Sequence, residues 1–170
     1  LKTKYLPVIV SGFGAGVIAI VPFLNSMACC LVIPAAAYLS LFLDVKLNHT
    51  PPFMISAGKG ALFGLLTGLI AALFATGFDI FVTLITRSNE LMQAIGQLPN
   101  ILSGLPLDVK IKEEIMTVFE SLRKDIMDDG FSALYTVLIF MNNLISFTIF
   151  GLVGGLIGSQ IIKSQNKRAG

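Results

Sequence analysis

The chain has 170 residues, 55% of them hydrophobic and 13% charged, with a mean hydropathy of +0.84. One aqueous core of this size cannot hide so much apolar surface, which argues against a soluble domain. A net charge of +2, without a basic stripe on a soluble module, argues against nucleic acid as a partner.

The first predicted element is a membrane helix over 6–24. Pro7 falls in its first turn, where a missing amide hydrogen breaks no bond, and Gly12, Gly16 and Ala19 form a face of small residues. Lys2 and Lys4 ahead of this run imitate a signal peptide, yet no small-x-small cleavage site follows, so the run reads as a retained helix. Pro22 to Ser26 turns the chain, and Asn25 or Ser26 can cap the next element. A second helix over 27–43 is barely long enough to cross the hydrocarbon, and Pro34 in its middle predicts a kink. A re-entrant hairpin of these two helices is the alternative.

Asp44 to Gly58 reads as a polar connection in which Pro51-Pro52 blocks helical continuation. Asn48-His49-Thr50 matches a glycosylation triplet, a pattern too short to be specific, and His49 reads as an exposed loop residue. The third helix, over 55–86, is organised around Gly60, Gly64, Gly68, Ala72 and Thr76. Small residues at every fourth position place a groove down one face, with bulky Leu, Ile and Phe elsewhere, which is the pattern of close helix packing in lipid. The helix is longer than a perpendicular crossing needs and must tilt or project beyond the bilayer.

After Arg87 and the capping Ser88, a short helix over 89–98 is predicted to stop at Pro99, with 100–104 as a linker. From Asp108 to Met127 the pattern changes: Ile111, Ile115, Phe119, Leu122 and Ile126 form one apolar stripe among charged residues. Its mixed charge suits covering other helices or docking a partner better than simple attraction to anionic lipid. The fourth membrane helix is placed over 131–163. Gly151 and Gly155 mark one small-residue face, extended by Ser159, and Gly154 and Gly158 mark an adjacent one, so that this helix can pack closely against two neighbours. Residues 164–170 read as a polar tail.

The expected fold is therefore all-α: a polytopic membrane protein with four transmembrane helices in a bundle plus an extramembrane amphipathic helix. With four crossings, one side of the membrane carries Lys2, Lys4, Lys46, Lys59, Lys163, Lys167 and Arg168 against Asp44 alone, while 87–130 holds more acids than bases. An excess of Lys and Arg marks the cytoplasmic side, so both termini are expected there and 87–130 outside.

Counting about 20 residues from Lys59 and from Lys163 brings Asp79 and the pair Asn142 and Asn143 to a similar depth. These groups either fix how the third and fourth helices pack or line a polar site, since ionisable residues in membrane segments face protein or water. Cys29 and Cys30 are adjacent within an apolar run, and His49 is the one histidine, so the chain offers no metal set and no nucleophile–base pair. No catalytic residue is assigned, and lipid is the expected companion in place of any recognisable cofactor.

The line Pro22-Phe23-Leu24-Asn25-Ser26-Met27-Ala28-Cys29-Cys30, the run Ala35-Ala36-Ala37-Tyr38-Leu39 and the stretch from Gly58 to Gly68 resemble small bacterial four-helix integral membrane proteins with a glycine-rich third helix. The resemblance covers about the first half of the chain. It implies a bacterial inner membrane and brings no assigned chemistry. The leading functional expectation is an accessory or scaffold subunit that packs against other integral membrane subunits or itself. A small oligomeric channel or transporter with a polar site near Asp79 is the alternative, and an integral membrane enzyme the third.

Overall fold

Long apolar runs whose backbone must satisfy its own hydrogen bonds in lipid favour helices. The computed structural model describes residues 3–21, 27–87 and 90–169, and every regular element among them is helical. The expected turn at Pro22–Ser26 with its caps, the Ser88 cap and Lys2 lie outside the described residues.

Helix α1 (Leu6–Ala19) follows a 3-10 turn at Thr3–Tyr5 and carries Pro7 in its first turn. It ends earlier than the 6–24 expected, in a tightened turn where Ile20 N–H bonds Val17 O and Val21 N–H bonds Ile18 O. A residue that precedes proline is pushed out of the helical region, so the helix has to close before Val21. Helix α2 (Ile33–Leu47) follows a π-helical turn at Ala28–Val32. The kink expected mid-helix at Pro34 takes this form: Ile33 N–H reaches back five residues to Ala28 O, and the wider turn makes room for the proline ring just inside α2.

Helix α3 (Ala57–Thr86) follows a 3-10 turn at Pro52–Met54, and the Ser56 hydroxyl accepts Lys59 N–H at 3.1 Å in its first turn. Helix α4 (Glu90–Ser103) runs through Pro99, correcting the stop expected there. Pro99 is exposed, which leaves room for its ring on the outside of the helix. Helix α5 (Val109–Asp129) is capped by Asp108, whose carboxylate accepts Lys110 N–H at 2.9 Å. It closes on Gly130 at φ 72°, the left-handed conformation glycine adopts most readily. Helix α6 (Ala133–Ala169) includes most of the expected tail, because Lys163 to Ala169 contains no helix breaker.

Among the described residues three helical stretches, Ala28–Leu47, Ala57–Thr86 and Ala133–Gln165, are long and apolar enough to cross a membrane. Helix α1, with 14 residues, spans about 21 Å at 1.5 Å per residue and is shorter than the ~30 Å hydrocarbon core.

The chain divides into two compact units: Leu1–Phe78 with Phe140–Gly170, and Asp79–Ile139. In the first, Ala15, Ala19, Ala36, Ala71, Ala72 and Ala75 form a core with Ile33 and Phe147. A second cluster joins Val8, Leu41, Ile55, Phe63 and Ile162. Alanine dominates the first core because its helices approach too closely for larger side chains, while Leu, Val, Ile and Phe of the same helices stay exposed. That inversion suits a solvent as apolar as leucine. The second unit has a smaller core of Leu122, Ile126 and Tyr135, with Phe119 and Ile139 against it.

Candidate functional site

The small-residue faces set the direction of each helix in the first unit. A Cβ built on Gly60 would fall 2.5 Å from Gly155 O and 2.7 Å from Ser159 Cβ; on Gly64 it would meet Gly151 O, and on Gly68 it would meet Phe147 O. Rising numbers on α3 meet falling numbers on α6, so the two helices are antiparallel. Gly154 and Gly158 take the adjacent face of α6 and meet α2: the first lies against the Pro34 backbone, the second 3.2 Å from Tyr38 Cα. A Cβ on Gly12 would sit 2.8 Å from Ile70 Cβ, and on Gly16 2.8 Å from Phe74 Cβ, which lays α1 along α3 in the same direction. Ala72 is fully buried and Thr76 nearly so. Each of these glycine faces thus has its neighbour within the chain.

Polar groups of the first unit are paired where helices meet. Asp44, 1% exposed near the end of α2, accepts Lys59 Nζ at 2.5 Å from the first turn of α3 and Asn48 Nδ2 at 2.8 Å. The pair clamps the connection 48–56, in which His49 is exposed at φ 49°. Neither Asp44 nor Lys59 stands out by motif. A carboxylate between Leu43 and Val45 nevertheless demands a cation in reach, and Lys59 sits one short loop away.

The three residues expected at one depth take separate roles. Asn143 Nδ2 donates to Thr76 Oγ1 at 3.0 Å in the first unit, and Asn142 is exposed. In the second unit Asp79 Oδ2 accepts Tyr135 Oη at 2.6 Å. Depth along two helices says nothing about which way each side chain points, and successive residues differ by about 100°. Tyr135, two residues into α6, was invisible to a count made from the far end.

In the second unit the stripe on α5 is buried along half its length. Leu122 and Ile126 are core, Phe119 and Ile115 half-buried, and Ile111 exposed. Arg87 Nη1 donates to Met127 O at 2.9 Å, placing a cation at the C-terminal end of α5. The Ser132 hydroxyl donates to Asp125 Oδ2 at 3.2 Å and starts α6. Around the α4–α5 turn Ile101, Leu105, Leu107, Val109 and Ile111 are all exposed, Val109 at 68%.

Cys29 is half-buried and Cys30 exposed, both as free thiols, and among the described residues no group of three His, Cys, Asp or Glu side chains could hold a metal. Helices of this length and apolarity are those of a membrane protein. Comparison with protein-family models, with curated proteins and with solved structures finds no match.

Proposed function

We propose that this chain is an accessory or scaffold subunit of a larger membrane protein complex, seated in the bacterial inner membrane as a four-helix bundle with both termini cytoplasmic. The observation that carries the reading is the α4–α5 turn. Five apolar side chains stand exposed there, beside the charged residues of α5. With 87–130 outside the bilayer, as the charge distribution implies, such a patch would call for a protein cover. The glycine faces support assembly less directly, since their occupants are this chain's own helices. Counting α1 as the fourth crossing is supported by its close packing along α3 at Gly12 and Gly16 and by the way four crossings sort the charges.

The channel or transporter reading rests on Asp79, whose carboxylate is engaged by Tyr135. That geometry favours a packing role. The test is native mass spectrometry of the protein released from its source membrane in mild detergent, with wild type beside Val109→Asp/Ile111→Asp. Other integral membrane subunits at fixed ratio, lost from the variant, support the scaffold. A homo-oligomer of this chain alone that carries flux in vesicles, abolished by Asp79→Asn, refutes it.

A further inference from the structure

A second kind of glycine position separates a hole from a contact. At Gly14 a built Cβ meets nothing within 4 Å, unlike its neighbours Gly12 and Gly16. Gly14 opens into a groove of about 440 Å³ between α1 and α2, with buried Ala15 and Ala36 and exposed Ala35 in its lining and Leu31 and Leu39, which are 55% and 44% exposed, at its rim. That volume is within the range of small-molecule sites, about 300–1,000 Å³. The raised leucine rims hold off another helix, whose backbone needs a flat small-residue face to approach. A single hydrocarbon chain fits between them.

The groove contains one polar group. Ser11 lines it, is 3% exposed, and its buried Oγ has no hydrogen-bond partner among the described residues. Buried hydroxyls are normally satisfied, so an unpartnered one beside a groove is a place where a ligand oxygen could bond once the side chain turns toward it.

The charge at that end identifies the ligand further. Val8 and Leu41 share one cluster and Ala19 and Ala28 another, so α1 and α2 are antiparallel and Ser11 lies toward the Leu39 end. From Ser11 back to Lys4, and from Leu39 on to Lys46, is seven residues each, about 10 Å along the helix axes. Both lysines are exposed. The first unit contains one side-chain carboxylate, Asp44, and Lys59 already holds it, so Lys4 and Lys46 face no acid of their own unit.

We infer that the α1–α2 groove binds an anionic glycerophospholipid from the surrounding bilayer: one acyl chain in the groove, the ester region hydrogen-bonded to Ser11, and the phosphate between Lys4 and Lys46. The inference rests on the membrane reading of the first unit, and it stands or falls independently of any subunit partner.

The full chain in mild detergent, titrated with dioleoylphosphatidylglycerol or dioleoylphosphatidylcholine and read by native mass spectrometry, tests it. Wild type is expected to retain one phosphatidylglycerol in preference to phosphatidylcholine. Gly14→Leu adds a Cβ that meets nothing within 4 Å and puts a bulky side chain into the groove; it is expected to weaken retention about tenfold, or 1.4 kcal/mol, at unchanged melting temperature. Lys4→Gln/Lys46→Gln is expected to remove the preference for phosphatidylglycerol while leaving phosphatidylcholine binding, and Ser11→Ala to weaken both lipids. Should Gly14→Leu fail to fold, the lysine and serine variants decide. Equal binding of the two lipids by wild type, undiminished retention in the variants, or a dimer that Gly14→Leu dissociates would each overturn the inference.

Discussion

Alanine in place of Gly64 is the sharpest probe of how the first unit is held together. The added methyl group lands on the carbonyl of Gly151, with Gly155 Cα 3.0 Å away. Both obstacles are backbone, so no rotamer relieves them and α3 and α6 have to separate. Overpacking typically costs about 1–3 kcal/mol, and a backbone obstacle places this case at the upper end. In water, the change from glycine to alanine inside a helix returns about 1 kcal/mol of propensity. In lipid that gain largely disappears, because separated helices keep their backbone bonds. Gly14→Ala and Gly77→Ala provide the control, since neither Cβ meets anything within 4 Å. Their effect is expected within about 0.5 kcal/mol of zero. Unfolding by sodium dodecyl sulfate in mixed micelles, followed by limited proteolysis, compares the three. If Gly64→Ala resists the detergent as well as Gly14→Ala does, the close approach of α3 and α6 is wrong.

Three further substitutions read out the polar pairs and the turn. Lys59→Met strands the buried Asp44 carboxylate and should cost about 3–5 kcal/mol, whereas Asp44→Asn/Lys59→Met should recover most of that in the same unfolding assay; a neutral single variant would show the pair to be idle. Tyr135→Phe should cost about 1–2 kcal/mol by removing the hydroxyl from Asp79, and Asp79→Asn should then cost less in that background than in wild type. Additive effects of the two would mean that they do not act through one bond. Gly130→Ala forces a side chain to φ 72° with Leu84 O 3.2 Å from the new Cβ, so protease sensitivity should rise within Asp79–Ile139, by about 1–2 kcal/mol of local stability.

The all-helical architecture was legible because apolar runs of this length admit few other structures, and Gly and Pro punctuate them. Boundaries were less so, and each miss has a local cause. Pro99 reads as a stop, yet α4 runs through it at an exposed position, while the kink expected at Pro34 takes the form of a widened π turn just ahead of it. The four-residue spacing of Gly60, Gly64 and Gly68 identified a face without naming what would meet it. The pairing with Gly155 and Gly151 needs the azimuth of a second helix, which periodicity does not carry. The same limit hid the bond between Asp79 and Tyr135. Ser11 and Gly14 were the least legible: as isolated residues they look like any small pair in a membrane helix, and only the facing wall of α2 turns them into a groove.

These contacts separate the jobs of the two units. In Leu1–Phe78 with Phe140–Gly170, small residues are spent on helices of the same chain, so a partner helix would have to displace a native neighbour to use them. What that unit leaves outward is mostly bulky apolar surface, which lipid covers without specificity, and one groove with a polar floor, which lipid covers with it. The segment Asp79–Ile139 holds most of the chain's charged side chains, yet Phe81, Ile85, Val137 and Leu138 are exposed as well; its apolar cluster is Leu122, Ile126 and Tyr135 with two more residues packed on them, and further apolar side chains crowd one turn. A stripe that is buried at Leu122 and Ile126 yet bare at Ile111 holds α5 down at one end only. Under the scaffold reading proposed above, the bare end is where a partner would dock, since exposed apolar side chains gathered at one turn call for a cover.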